Sequence, residues 1–538
     1  MNSKLLRNLL FGLLLAGYLL YADKYILSTS FVIGSERYFI LFDDAMISMR
    51  YARNLAHGYG LVWNLGERVE GFTNPLWVGF MAIFHLFPIP ASKISLAIQI
   101  SGALFLAANL YFVRKIVEEF TDNLLVMLAA VALTAFYAPL NTWGLLGMEV
   151  SLLTLIISAA VWIVLRHTPA RFTPWIYVLL AAATLIRIDM AVPYVIILAT
   201  LFITQPSRRR QHLLWGIGLL VLFLGGQTLG RYLYYGDILP NTYYLKVEGF
   251  PFALRILRGL YALFMLTWYS NWVLFLLPLA LLLFRRDWKV VLLFMVFLGQ
   301  AAYSVYVGGD AWEHRGGANR FISIAIPIFF ILFVYTSDRI RAAAAEPLVK
   351  AHRWLGLASQ AALAIFLIFS MLNFNALLSD WKSIERWALA RRPVFSAGNE
   401  HYVAIALDVK NISTPDTKVA VNAAGSIPYF LGDQYVIDLL GKTDPVVAHG
   451  AVKTPMSIVD VPFMQPGHMK WDYSHSFGKL QPDIIVELRE GTSEEAKPYL
   501  HGEYVLGGLD DGLWFYLRKD SPNIIWDEIR IKDQNPFN

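Results

Sequence analysis

Two adjacent carboxylates open the stretch Phe42-Asp43-Asp44-Ala45-Met46-Ile47-Ser48-Met49-Arg50-Tyr51-Ala52-Arg53-Asn54. One carboxylate suffices to cap a helix N-terminus, and a second beside it raises the pKa of the pair. Asp43 and Asp44 are therefore candidates for a general base, a nucleophile or a metal ligand, with a helix cap as the plain structural alternative. Arg50 follows Asp43 by two helical turns and shares its helix face. A base and a cation on one face suit a substrate that carries both a hydroxyl and a phosphate. Glu149, after Leu146-Gly147-Met148, is a third acidic candidate. An anionic phosphate needs cations, preferably arginine for bidentate pairing, and Arg187, Lys246, Arg315 and Arg320 qualify. Asp189 is the natural internal partner of Arg187. Tyr243 and Tyr244, beside Lys246, have rings that can stack on a sugar. Asp310, Glu313 and His314 have a spacing compatible with a divalent cation, although a loop turn explains them more simply.

These residues have to be positioned by a membrane protein. Of the 538 residues, 57% are hydrophobic and 16% charged, against about 45–50% and 25% in ordinary soluble domains. The apolar residues form about eleven blocks, near 5–27, 94–113, 123–140, 148–165, 174–186, 190–203, 212–230, 262–284, 290–307, 321–336 and 354–374. Such blocks predict a polytopic helical membrane protein. Tyr21-Ala22-Asp23-Lys24 is a poor cleavage site, so the first block is expected to stay as an anchor. With Lys4 and Arg7 inside, every second connection is rich in Lys and Arg, among them Arg114-Lys115, Arg208-Arg209-Arg210 and Arg285-Arg286. This alternation predicts a cytoplasmic N-terminus and a periplasmic or extracellular tail. Residues 375–538 hold 16 Lys+Arg and 22 Asp+Glu, so the positive excess belongs to the membrane part and calls for no nucleic acid. The absence of cysteine rules out disulfides, thiolate metal sites and a cysteine nucleophile.

The chain therefore divides into a transmembrane part, 1–374, and an external part, 375–538. The first outward loop, 28–93, is far longer than most connections, and long ordered loops are usually functional. The Arg187/Asp189 hairpin has arms of about 13 and 14 residues, too short to cross fully. In the tail, Lys418–Asn422, Tyr435–Leu439, Pro482–Glu487 and Leu513–Leu517 are predicted strands, and Ser426–Leu431 a helix, which gives a small α/β domain. Neither GxGxxG nor a P-loop occurs, so no soluble nucleotide donor is expected.

Four blocks in order carry a resemblance. They are Asp43-Asp44-Ala…Arg50-Tyr51…Trp63-Asn64…Glu70-Gly-Phe-Thr-Asn74-Pro-Leu-Trp77; Gly236-Asp237-Ile-Leu-Pro240-Asn241-Thr-Tyr243-Tyr244-Leu-Lys246; Gly308-Gly309-Asp310…Arg320-Phe321; and Asp438-Leu-Leu-Gly441-Lys-Thr-Asp444 with Pro466-Gly467-His468. Together they resemble GT-C glycosyltransferases, most of all the terminal arabinofuranosyltransferases of actinobacterial cell walls and a related pilin arabinosyltransferase. The resemblance implies a GT-C fold in a bacterial inner membrane and transfer of a sugar, D-arabinofuranose in those relatives, from a polyprenyl-phosphate donor. The implied acceptor is a cell-envelope glycan or a pilin-like glycoprotein on the outer face. Asp43 and Asp44 would then be catalytic. Arg50, Glu149, Arg187, Asp189, Tyr243, Lys246, Arg315 and Arg320 would hold the donor, and Trp63, Asn74 and His468 would face the acceptor. No definite cofactor is implied, and a divalent cation is compatible. The competing class is a transporter or flippase of lipid-linked sugars, which commonly has internal repeats and midplane charges. Here the charges gather toward one face.

Reporter fusions after Arg210 and Arg286 should give cytoplasmic signals, and fusions after Gly60 and Asp380 external ones. A cytoplasmic signal after Asp380 would overturn this topology.

Overall fold

A computed structural model describes residues 3–532 except 167–171, 314–318, 352–353, 378–379 and 511. The chain forms two compact units, each assembled from three segments. Residues 1–29, 99–226 and 255–394 make the first, and residues 30–98, 227–254 and 395–538 the second. A cut at residue 374 is thus not the division into compact bodies. The long loop after the first helix folds with the tail.

Among the described residues, five helices are long and apolar enough to cross a bilayer: most of α1 (Ser3–Thr29), then Ala91–Val117, Pro206–Tyr235, Trp288–Tyr306 and Trp354–Asn375. The protein is a multi-pass membrane protein. Two bent pairs also have a spanning composition, Leu124–Ala135 with Ala138–Leu145 at 49° and Asn241–Val247 with Phe252–Tyr269 at 89°. Pro139, near the start of Ala138–Leu145, lacks the N–H that would continue the preceding ladder. The expected block 262–284 is broken, because Asn271 adopts φ 64° and its side chain accepts from the Val273 N–H to start a new helix. Other apolar blocks become shorter helices, including Val150–Leu165, Trp175–Ile186 and Ile188–Thr204. Among the described residues, the eleven apolar blocks thus form five long helices, two bent pairs and several shorter helices.

The second unit begins with the antiparallel pair β1 (Phe31–Ile33) and β2 (Glu36–Tyr38). Next comes α2 (Asp43–Ala56), with acids in its first turn and Arg53 in its last, as the helix dipole favours. α3 (Pro75–His85) starts with proline, whose missing N–H costs nothing there. The tail contributes a six-stranded sheet of β3 (Lys418–Val421), β4 (Tyr435–Asp438), β5 (Ile484–Ile485), β6 (Tyr504–Gly508), β7 (Trp514–Arg518) and β8 (Arg530–Ile531), in the order β4-β3-β5-β7-β6-β8. The four strands and the helix Ser426–Leu431 expected from sequence are present, and β6 and β8 are additional. The core packs Ile437, Leu439, Trp471, Phe477, Ile485 and Leu500.

The sheet topology determines where a site belongs. β3 is parallel to both β4 and β5, with Val421 opposite Asp438 and Ala420 opposite Ile485. The carboxyl ends of three neighbouring strands thus open at one edge, the place where α/β sheets bind ligands. Three loops leave that edge, at residues 422–425, 439–444 and 486–488.

Candidate active site

All three of those loops reach Asp43 or Asp44, which are the first two residues of α2. Phe42 holds the N-cap position, so neither aspartate is the cap. Their carboxylates point to the tail instead. Asp43 Oδ1 accepts from the Ser426 N–H at 2.8 Å, beyond the end of β3. Asp44 Oδ1 accepts from Lys442 Nζ at 2.7 Å, beyond the end of β4. The third loop supplies Glu487, whose carboxylate faces the backbone N–H groups of Asn422 and Ala423 and interacts with Asp43.

Gly425 makes the first contact possible. A Cβ there would lie 1.9 Å from the Asp43 carbonyl oxygen, so no other residue fits without moving α2. The second contact depends on the turn after β4. Asp438 accepts from the Leu440 N–H at 3.0 Å and the Thr443 N–H at 2.8 Å, and Gly441 adopts φ 76°. Asn241 then donates to the carbonyls of Gly441 and Lys442 at 2.9 and 3.0 Å. Gly71 packs so closely that an added Cβ would meet Thr443 at 2.6 Å and the Lys442 carbonyl at 3.0 Å. The ammonium is thereby placed by contacts to its own backbone.

The electrostatics follow from crowding. Burial raises the Asp43 pKa. Lys442 and the Ser426 N–H pull it down, and Asp44 pushes it up again. Burial likewise raises Asp438 and Glu487. For Lys442, burial opposes the charge, but Asp44, Asp43 and Asp438 outweigh it and the pKa rises. The result is an ammonium with several carboxylates around it, and at least one, Asp43, whose proton affinity is above the ordinary aspartate range. Such a group is suited to taking a proton from a hydroxyl. Among the described residues, no three His, Asp or Glu side chains are arranged to hold a metal ion. With the ammonium already seated on the pair, this donor set does not suit a divalent cation.

The other sequence candidates fall into two groups. In the second unit, Arg50 is 1% exposed and is a strut. It donates to the carbonyls of Trp63 at 2.7 Å, Gln434 at 3.0 Å and Pro428, and to Asn64 Oδ1 at 3.3 Å. Its guanidinium also stacks on Trp63, 4.9 Å from the ring centre. Asn74 is buried and accepts from the Ser48 hydroxyl at 3.1 Å. Tyr243 is partly exposed and edge-on to Tyr244, whose hydroxyl donates to Asp237 at 2.5 Å. The stem of Lys246 lies against Gly467, next to His468.

In the first unit, Arg187 donates to both oxygens of Asp189, at 2.7 and 2.6 Å, and to Glu149 at 3.4 Å. Arg320 pairs with Asp310 through Nε at 2.9 Å and Nη2 at 3.2 Å. Glu313 accepts from the Asp310 N–H at 2.9 Å, from Asn319 at 2.6 Å and from Arg258, and its pKa is pushed up to about 7, chiefly by burial. Asp310 and Glu313 thus serve a paired turn. His314 and Arg315 lie outside the described residues.

The sequence reading missed Lys442, Glu487 and Asn241. Lys442 lies just past the predicted strand Tyr435–Leu439 and Glu487 ends the predicted strand Pro482–Glu487, so the rule for carboxyl edges of α/β sheets was the available signal once the strands proved parallel.

Residues 372–516 match a protein family described as a domain of unknown function (DUF8728). No curated protein matches the chain. Among solved structures, ArnT from Cupriavidus metallidurans in the apo state is similar over 93% of this chain and 96% of its own, at 12% identity with a TM-score of 0.52. The archaeal oligosaccharyltransferase AglB from Archaeoglobus fulgidus, in complex with an inhibitory peptide and a dolichol-phosphate, aligns over 96% of this chain and 76% of its own, at 9% identity and a TM-score of 0.49. The fold is of the GT-C class.

Two variants probe how the site is held. Gly425→Ala should destabilise the protein by roughly 1–3 kcal/mol through overpacking against Asp43, seen as a lower Tm of purified protein in detergent. Lys442→Met strands a partly buried carboxylate and should cost up to about 3 kcal/mol. Adding Asp44→Asn should recover most of that loss in the same thermal assay.

Proposed function

We propose that this protein is a glycosyltransferase that transfers a sugar, D-arabinofuranose by the motif resemblance, from a polyprenyl-phosphate donor to a cell-envelope glycan or pilin-like glycoprotein. The reaction takes place at the outer face of a bacterial inner membrane. The observation that carries this reading is the meeting of Asp43, Asp44 and Lys442 at the carboxyl edge of three parallel strands. Supporting it are the multi-pass architecture, which suits a lipid-borne donor, and the fold shared with ArnT.

In this mechanism Asp43 accepts the proton of the acceptor hydroxyl as its oxygen attacks the anomeric carbon. The bond from that carbon to the phosphate oxygen breaks, and the electron pair leaves with the polyprenyl phosphate. Lys442 compensates the charge that builds on the departing phosphate, and Asp44 keeps the ammonium aimed. The proton on Asp43 is then lost to water. A general base contributes about 10²–10⁴ in rate. A positioning cation that is charge-conserving but misaimed costs less.

Asp43→Asn should therefore stay folded and membrane-inserted yet lose transfer by a hundredfold or more, measured with a synthetic polyprenyl-phosphoryl sugar and mass spectrometry of the acceptor. Since the base acts when deprotonated, kcat should climb with pH. Its midpoint should lie above the ordinary aspartate value of about 3.9, because burial raises the Asp43 pKa. Near wild-type turnover in both Asp43→Asn and Asp44→Asn, or sugar transport without transfer in liposomes, would defeat the proposal.

A further inference from the structure

The turn that carries Lys442 also walls a second space. A cavity of about 350 Å³ is lined by Trp63, Glu67, Tyr435, Thr443, Asp444 and His475, with Asp438 and Val446 at the same wall. Its volume is within the range of small-molecule sites. From the long loop come Trp63 and Glu67, and from the tail the turn after β4 and the segment around His475.

Its polar groups are already oriented. Tyr435 donates to Glu67 at 2.8 Å, and His475 Nε2 lies 2.9 Å from Asp444 Oδ2. The indole N–H of Trp63, a residue 3% exposed, has no acceptor among the described residues. Aromatic rings with fixed carboxylates and a spare donor are the equipment for a polyol, which offers hydroxyls as both donors and acceptors and apolar ring faces for stacking.

Charge narrows the ligand. Glu67, Asp438 and Asp444 line the cavity against one guanidinium, that of Arg68, and the imidazole of His475. The excess of carboxylates disfavours a phosphate, so the donor's anionic head belongs elsewhere. Backbone pairing disfavours a peptide strand. β4 is the edge strand beside the cavity, and an extended peptide would need its outward groups. Those are taken. The Gln434 carbonyl accepts from Arg50 at 3.0 Å, and the Asn64 side chain donates to the Val436 carbonyl at 2.9 Å and accepts from the Val436 N–H at 3.1 Å. The Asp438 carbonyl accepts from the Gly441 N–H at 3.2 Å.

We infer that this cavity is a binding subsite for the sugar residues of an uncharged glycan acceptor. The inference rests on the glycosyl-transfer reading and selects glycan over peptide within it. Sharing the Asp438–Thr443 turn with Lys442, the cavity holds the acceptor chain while its terminal hydroxyl meets Asp43.

The test uses full-length protein in nanodiscs and neutral trisaccharides of arabinose, mannose and galactose. Saturation-transfer NMR should detect at least one of them, and Asp43→Asn should bind it as wild type does. Val446 is 49% exposed at the cavity wall, so Val446→Trp fills the space from the surface and should fold normally. It should abolish the NMR signal and raise the acceptor KM tenfold or more with little change in kcat. Glu67→Gln, which keeps the shape, should give a smaller rise in KM, about threefold. Trisaccharide binding unaffected by Val446→Trp would overturn the subsite. So would tighter binding of a phosphorylated sugar or of a pilin-like peptide at this position. The binding readout needs no turnover, so it separates failure of the subsite from failure of the transfer reaction.

Discussion

The second unit depends on one buried ammonium. Lys442 is 6% exposed and lies among Asp44, Asp43 and Asp438, groups that repel one another when ionised. Removing charges from water is expensive, and attraction in a low-dielectric setting repays it only when geometry and hydrogen bonding are good. Here the geometry is supplied by backbone contacts. Asn241 grips two consecutive carbonyls of the turn, and Gly71 lets the long loop close over it. The pair joins residues 398 apart in sequence. Because closure entropy grows only slowly with loop length, the intervening membrane helices add little cost. What the pair achieves is register between a loop helix and the carboxyl edge of a sheet.

A second constraint seals the sheet. An exposed edge strand invites foreign pairing. The outward carbonyls of Gln434, just before β4, and of Val436 and Asp438 within it are occupied by Arg50, Asn64 and a local turn. Arg50 is therefore committed by several carbonyls to holding the tail against the loop. This explains why a charged side chain can be almost wholly buried without a carboxylate in hydrogen-bond contact among the described residues. The Arg50 stack on Trp63 adds a cation–π contact to the same seal.

The sequence exposed what is local. Apolar blocks, the paired aspartates, the unusually long loop and four tail strands all leave short-range signals. It did not expose what is tertiary. Helical spacing put Arg50 on the face of Asp43, but spacing cannot say that its fork would end on backbone carbonyls. The spacing of Arg187 and Asp189 suggested a pair, whereas the contact from Arg187 to Glu149 spans 38 residues and needed the fold. Lys442 was one lysine in a polar turn until the aspartate it serves was seen. The break at Asn271 was hidden because a single residue at positive φ interrupts a helix without interrupting hydrophobicity.

The kinds of cation present argue for a division of labour. Arg187 and Arg320 each make two hydrogen bonds to one carboxylate, so a phosphate would have to displace two well-aligned bonds at once. Lys442 is different. It is a point charge on a flexible stem, joined to one oxygen of Asp44. A phosphate that draws the ammonium toward itself need not break a fork, and the two charges can share the donors of one –NH₃⁺. Each arginine is held to its carboxylate by two bonds, and the lysine to its carboxylate by one. In the proposed reaction, where the anion must leave after each turnover, the second kind serves better, and Lys442 is the cation that the sheet edge places beside the aspartates.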